Sequence, residues 1–222
     1  MRALVCYVSV AAGLALGVPG TGLMGTAVAA EPSSVQKTGG LQTAFMRMYG
    51  PSQAPYGFVR YCEASPENCA PAGTAEQRLQ PTPSSLSELD EVNRSVNAEI
   101  EPATDAEIYG VSEYWTIPAK RGDCEDYALL KQQKLIERGW PSSALLITVV
   151  RDERGEGHAV LTARTSQGDY ILDNKIDVVR MWNRSGYQFV MRQSYIDPKV
   201  WVSLDPASST PPAAIAGVGG LE

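Results

Sequence analysis

The sequence holds one histidine, His158, in 222 residues. That scarcity removes metal centres built on histidine pairs and leaves a single side chain able to serve as an imidazole base near neutral pH. Cysteine is sparse as well: of four, only Cys62 and Cys69 stand close together, and no second Cys or His pair exists to complete a metal site with them. Basic residues are outnumbered, 19 against 25 acidic, for a net charge of −6. An acidic chain is a poor partner for nucleic acid. Beyond the first thirty residues no run is long and apolar enough to cross a bilayer, and no internal repeat is present.

The N-terminus carries a compartment signal. Arg2 precedes the apolar run "ALVCYVSVAAGLALGV", and the small residues Ala27-Val28-Ala29-Ala30 follow. Residues 1–30 therefore read as a secretory signal peptide cleaved after Ala29 or Ala30, with an uncleaved anchor as the alternative. Cys6 leaves with the leader. The product is expected to be periplasmic or secreted. From Glu31 the chain has 192 residues, with 18 basic and 25 acidic side chains (−7), enough for one domain with a real core.

In an oxidising compartment Cys62 and Cys69, flanking "CEASPENC", are expected to form a local disulfide. Cys124 is then the odd thiol. A nucleophile is one reason to keep it, and a small buried hydrophobe is the plain alternative.

Four segments organise the chain: the leader, an arm with the disulfide loop over 31–83, a core over 84–205, and a low-complexity tail over 206–222 expected to be disordered. In the arm, Gly39-Gly40 and Pro51 to Pro55 break long elements, leaving a short helix near Leu41 to Met48. Leu86, Leu89, Val92, Val96 and Ile100 recur at helical intervals behind a Ser84 or Ser85 cap. A second helix runs from an Asp123 cap to Gly139, with Asp126 at the capping-box position and Tyr127, Leu130, the Lys134 stem, Leu135 and Ile136 inward. Then "SALLITVVRD", "GHAVLTART", "DYILDNKI", "YQFVMRQSY" and "VWVSL" read as strands. The class is α+β, with helices packed on one face of an antiparallel sheet.

"RGDCEDYA", residues 121–128, crowds three carboxylates around Cys124 at the start of that helix. Acidic neighbours disfavour a thiolate, whereas a helix N-terminus favours one and offers N–H donors to an oxyanion. The sole base is His158, on a strand, and Asp173 lies on the next. Parity allows both to share one sheet face, through a bulge or a diagonal contact. Cys124, His158 and Asp173 thus supply nucleophile, base and orienter. Tyr114-Trp115 and Trp182 are aromatic pieces for which core packing is the simpler role and a substrate cleft the other.

"GDCEDYALLKQQKL", "HAVLTAR" and "DYILDN", with "PYGFVRYCEASPENC" and "LDEVNRSVN" ahead of them, resemble the bacterial transglutaminase-like cysteine peptidases, the family that contains the LapG-type periplasmic adhesin proteases. The resemblance covers roughly residues 50 to 200. It implies a papain-like, transglutaminase-like core, a Cys-His-Asp triad working through a thioester, and a protein or peptide substrate, with no organic cofactor. It also implies a Ca²⁺ site around the nucleophile. The matching residues are Asp123, Glu125 and Asp126, with Glu113 in "EYW" where the family has Asp. The alternative is that Asp123 and Asp126 cap the helix while Glu125 faces solvent. LapG-type enzymes are sequestered by a membrane receptor, a partner not carried over to this chain. Two other functions fit the same core: transglutaminase or amidase-type acyl transfer to an amine, and a catalytically inactive binding module.

Overall fold

The computed structural model describes residues 43–71 and 77–209. The leader and the arm before Thr43 lie outside these residues, as do 210–222 of the tail. No helix among the described residues is long and apolar enough to cross a membrane.

The chain opens with strand β1 (Gly50–Ser52) and helix α1 (Tyr56–Ala64), followed by α2 (Pro83–Glu99). Two short strands, β2 (Glu101–Pro102) and β3 (Arg121–Gly122), flank α3 (Asp105–Ile108) and pair in parallel. Helix α4 (Cys124–Glu137) leads into β4 (Leu145–Arg151), β5 (Gly157–Thr165), β6 (Gly168–Leu172), β7 (Arg180–Met181), β8 (Gln188–Gln193) and β9 (Trp201–Ser203). The seven-stranded sheet runs β1-β9-β8-β4-β5-β6-β7, antiparallel at every pairing.

Alternation along β5 divides the interior in two. Ala159, Leu161 and Ala163 join the larger cluster beneath α1, α2 and α4, while Val160 joins a smaller one with Met46, Val150, Ile171, Tyr187, Phe189 and Leu204. The sheet is therefore buried on both faces around its centre. The stripe expected on α2 is the one observed, with Leu89, Val92 and Val96 fully buried. Its cap is Thr82, whose hydroxyl accepts from the Ser85 N–H while the Ser85 hydroxyl accepts from the Thr82 N–H.

Several expectations are corrected. The arm is not separate from the core: Phe58, Tyr61, Cys62 and Cys69 are buried in the larger cluster, and β1 extends the sheet. Within 43–48 there is no helix. Buried Asp169 holds that stretch extended, its N–H donating to Ala44 O and its Oδ2 accepting from Met46 N–H, while Arg78 bonds its Oδ1 at 2.8 Å. The arm's helix lies later, at α1, which carries Cys62 of the Cys62–Cys69 disulfide, whose Cα atoms are 5.5 Å apart. On α4 the buried lysine is Lys131 rather than Lys134, which reaches Glu99 at the surface at 2.9 Å; Ile136 is 42% exposed. The tail begins with a 3-10 turn over Pro206–Ser209.

Candidate active site

Helix α4 lies against β4 and β5, with Cys124 in its first turn. The last pair between β5 and β6 is Leu161 with Leu172. Two residues nearer the start of β5, the N–H of Ala159 is donated to Cys124 Sγ at 3.1 Å. The sulfur thus contacts the residue that follows His158. The β5–β6 turn is two residues, Ser166-Gln167, and Asp173 is the first residue after β6 ends at Leu172.

His158 and Asp173 meet: Nε2 lies 2.9 Å from Asp173 Oδ1, and both residues are buried. With Nε2 committed to the carboxylate, Nδ1 is buried and has no hydrogen-bond partner among the described residues. An Nε2–H tautomer therefore leaves Nδ1 as a lone-pair acceptor. Burial alone would raise the Asp173 pKa. The His158 hydrogen bond and charge, the Tyr187 hydroxyl and the Lys175 N–H outweigh it and hold the carboxyl down at about 2. Asp173 is in turn seated by α2. Asn93 Oδ1 accepts from the Asp173 N–H at 3.0 Å, Asn93 Nδ2 donates to the carbonyls of Ile176 and Asp177, and Asn97 Nδ2 donates to Asp173 O.

Cys62 and Cys69 are joined to each other, and no cysteine among the described residues is a free thiol. Nucleophilic chemistry at Cys124 belongs to its reduced form.

The acids around the sulfur are buried rather than solvated. Glu125 is 1% exposed, with Oε2 3.2 Å from Cys124 Sγ, so the solvent-facing alternative for it does not hold. Asp123 occupies the N-cap position of α4, yet its side chain makes no capping bond and accepts from the Asp105 N–H instead. Asp105, Asp123 and Asp126 each offer a carboxylate oxygen within 4.8 Å of the other two. Each is anchored by a backbone N–H at one oxygen: Asp105 Oδ2 from Tyr114, Asp123 Oδ2 from Asp105, and Asp126 Oδ1 from Thr116 at 2.9 Å. The other oxygens, Oδ1 of Asp105 and Asp123 and Oδ2 of Asp126, are buried without a hydrogen-bond donor among the described residues.

Such oxygens are costly unless a cation or a proton satisfies them. Burial, then the charges of the neighbouring acids, pushes Asp105 up to about 6 and Asp126 up to about 8. The same causes raise Glu125 well above the usual carboxylate range, and burial raises Asp123 and Glu113. Three oxygen donors with bare lone pairs fit a hard divalent cation such as Ca²⁺. Of the four metal residues expected from sequence, Asp123 and Asp126 belong to this set. Glu113 accepts from Trp115 Nε1 at 3.1 Å beside it, and Glu125 lies between Asp123 and the sulfur.

Sequence reasoning missed Asp105, Tyr187, Asn93 and Lys131. Asp105 sits in a loop read only as turns. Asn93 and Asn97 stand in "LDEVNRSVN", a stretch read for its helical apolar stripe and its resemblance and not for its asparagines. Lys131, two turns along α4 from Cys124, is buried beside Tyr127, and burial outweighs the attraction of Asp173 and Asp177 to bring it down to about 7. Trp115 packs in the core against Phe58 and Trp201, while Trp182 lines a cavity with Phe189.

The family model for bacterial transglutaminase-like cysteine proteinases (BTLCP) matches residues 48–209. The chain belongs to that family and is a transglutaminase-like cysteine peptidase. No curated protein matches it. Among solved structures it is similar to Legionella pneumophila LapG at 27% identity and a TM-score of 0.46, over 55% of this chain and 69% of that one. The calcium-bound form of Legionella pneumophila LapG is similar at 25% identity and a TM-score of 0.46, over 63% and 77%.

Proposed function

We propose that the protein is an exported hydrolase that cleaves a peptide bond in a protein substrate, with Cys124 as nucleophile, His158 as base and Asp173 as orienter. The observation that carries the reading is the commitment of His158 Nε2 to Asp173, with Nδ1 unpartnered among the described residues and the next residue's N–H on the Cys124 sulfur. In the reduced protein, His158 Nδ1 takes the thiol proton as sulfur attacks the carbonyl, and the imidazolium is stabilised by Asp173. That proton goes to the leaving amine, and water then releases the thioester. The N-terminus of α4 offers its N–H groups to the developing oxyanion.

Asp105, Asp123 and Asp126 would hold Ca²⁺, with Glu113 and Glu125 as flanking acids. Bound there, the ion supplies positive charge that offsets the carboxylates around the sulfur. The leader-like residues 1–30 support a periplasmic or secreted location.

The test is a survey of protein N-termini in the exported fraction of cells carrying the wild-type or a Cys124→Ala protein. The reading expects one or more new termini that vanish with alanine. Identical termini in both would contradict it, and a substrate joined to an added primary amine in place of cleavage would assign acyl transfer.

A further inference from the structure

Tyr187 entered no expected set, yet it completes the surroundings of Asp173. Oδ1 of Asp173 accepts from His158 Nε2 and from the Lys175 N–H, both at 2.9 Å. Oδ2 accepts from the Tyr187 hydroxyl at 2.6 Å, its one hydrogen bond among the described residues. The carboxylate is 3% exposed, so water is no ready substitute. The same ring stands edge-on to the His158 imidazole, with centroids 5.6 Å apart and planes at 80°. One side chain therefore touches both members of the Asp–His pair.

Its own placement is built. The Tyr187 N–H donates to Ser185 Oγ, and that hydroxyl donates to Trp182 O at 2.7 Å. On its outer side the ring forms part of the wall of a cavity of about 540 Å³, with Met46, Trp182, Phe189 and Leu204.

We propose that Tyr187 is a positioning residue that fixes the rotation of the Asp173 carboxylate, and through it the tautomer of His158. Two oxygens of a carboxylate are equivalent until something distinguishes them. Here the hydroxyl claims Oδ2, which leaves Oδ1 facing Nε2–H and Nδ1 free of its proton. Without the hydroxyl, a buried Oδ2 loses a charge-assisted bond, and the group must turn or protonate to compensate. Either change loosens its hold on Nε2–H.

The inference rests on the Cys124, His158 and Asp173 reading, but its test separates the two. Because the chain has one histidine, a long-range ¹H–¹⁵N spectrum of the imidazole reports His158 alone. The reduced wild type, with calcium chloride present, should show the Nε2–H tautomer. Tyr187→Phe, which keeps the ring against His158 and the cavity wall, should show a mixture of tautomers. The same variant should alkylate Cys124 with iodoacetamide about tenfold more slowly, read by peptide mass spectrometry. In an Asp173→Asn background it should change neither quantity. Superimposable imidazole spectra of wild type and Tyr187→Phe would overturn the inference, as would an undiminished effect in the Asp173→Asn background. Should the phenylalanine variant not fold, the wild-type Tyr187 hydroxyl proton decides. Slow exchange with solvent supports the bond to Asp173, and exchange at solvent rates overturns it. A wild-type Cys124 no more reactive than a free cysteine would sink the hydrolase reading alone, since the imidazole spectrum still judges the coupling.

Discussion

At the scale of single residues, part of the site is buried polar groups satisfied by other protein atoms. Asp173 is the clearest case: His158, Tyr187 and the Lys175 N–H satisfy its oxygens, and together they outweigh the cost of burying it. Asp173→Asn keeps the shape but offers an amide where Nε2–H needs an acceptor. Cleavage of a Cys124-dependent substrate should fall about 10³- to 10⁴-fold in steady-state kinetics, while the fold is retained. The contact of His158 with Asp173 was legible in sequence because the chain offers one histidine and an aspartate on the next strand run. Tyr187 was not, because a tyrosine on β8's approach gives no signal until β4 and β5 place it beside the histidine. The same holds for Asp105, which becomes a candidate ligand only once the loop before α4 folds back onto Asp123.

Elements decide where those residues stand. The strands were readable from β-branched runs, and β5 was bounded by its sequence to the residue. Helix α1 was missed because Pro55 and the disulfide loop made its stretch look irregular, although Phe58 and Tyr61 pack in the core. The clamp of α2 on the segment after β6 is another feature that only the fold reveals. Asn93 is fully buried and makes three hydrogen bonds to that segment. Asn93→Ala strands two carbonyls and the Asp173 N–H, so urea unfolding should register a loss of about 2–4 kcal/mol, with a lower rate of Cys124 labelling. Strand β3 carries a different constraint. A Cβ on Gly122 would meet Asp126 Oδ2 at 2.6 Å and Asp126 Cβ at 2.8 Å. Gly122→Ala should displace that carboxylate and weaken calcium binding by tenfold or more, roughly 1.4 kcal/mol or above, in titration calorimetry.

For the whole molecule, the acidic cluster links stability to pH and to metal. Asp126 at about 8 and Asp105 at about 6, against 3.8 for an ordinary aspartate, bind protons in the folded state that the unfolded chain releases. The folded form thus holds more protons between about pH 4 and pH 8, and stability falls as pH rises through that window. Asp173 acts in the opposite sense: held at about 2, it contributes stability that is full above about pH 4 and lost as pH drops toward 2. In chelator the melting temperature should therefore decline from pH 4 to pH 8, by on the order of 3 kcal/mol or about 6–12 °C. Calcium binds the ionised carboxylates, so its presence should abolish or reverse that decline in a fluorimetric melt. A decline of equal size with and without calcium would remove the metal from the account.

The central claim is that the reduced Cys124 sulfur is activated by His158. Its most direct measurement is the rate at which an electrophilic probe for nucleophilic cysteines labels Cys124, mapped by mass spectrometry, in wild type and in His158→Ala with calcium present. The account predicts labelling in the wild type well above that of a free cysteine and a loss of about a hundredfold or more in the variant. Equal labelling of the two proteins would contradict it.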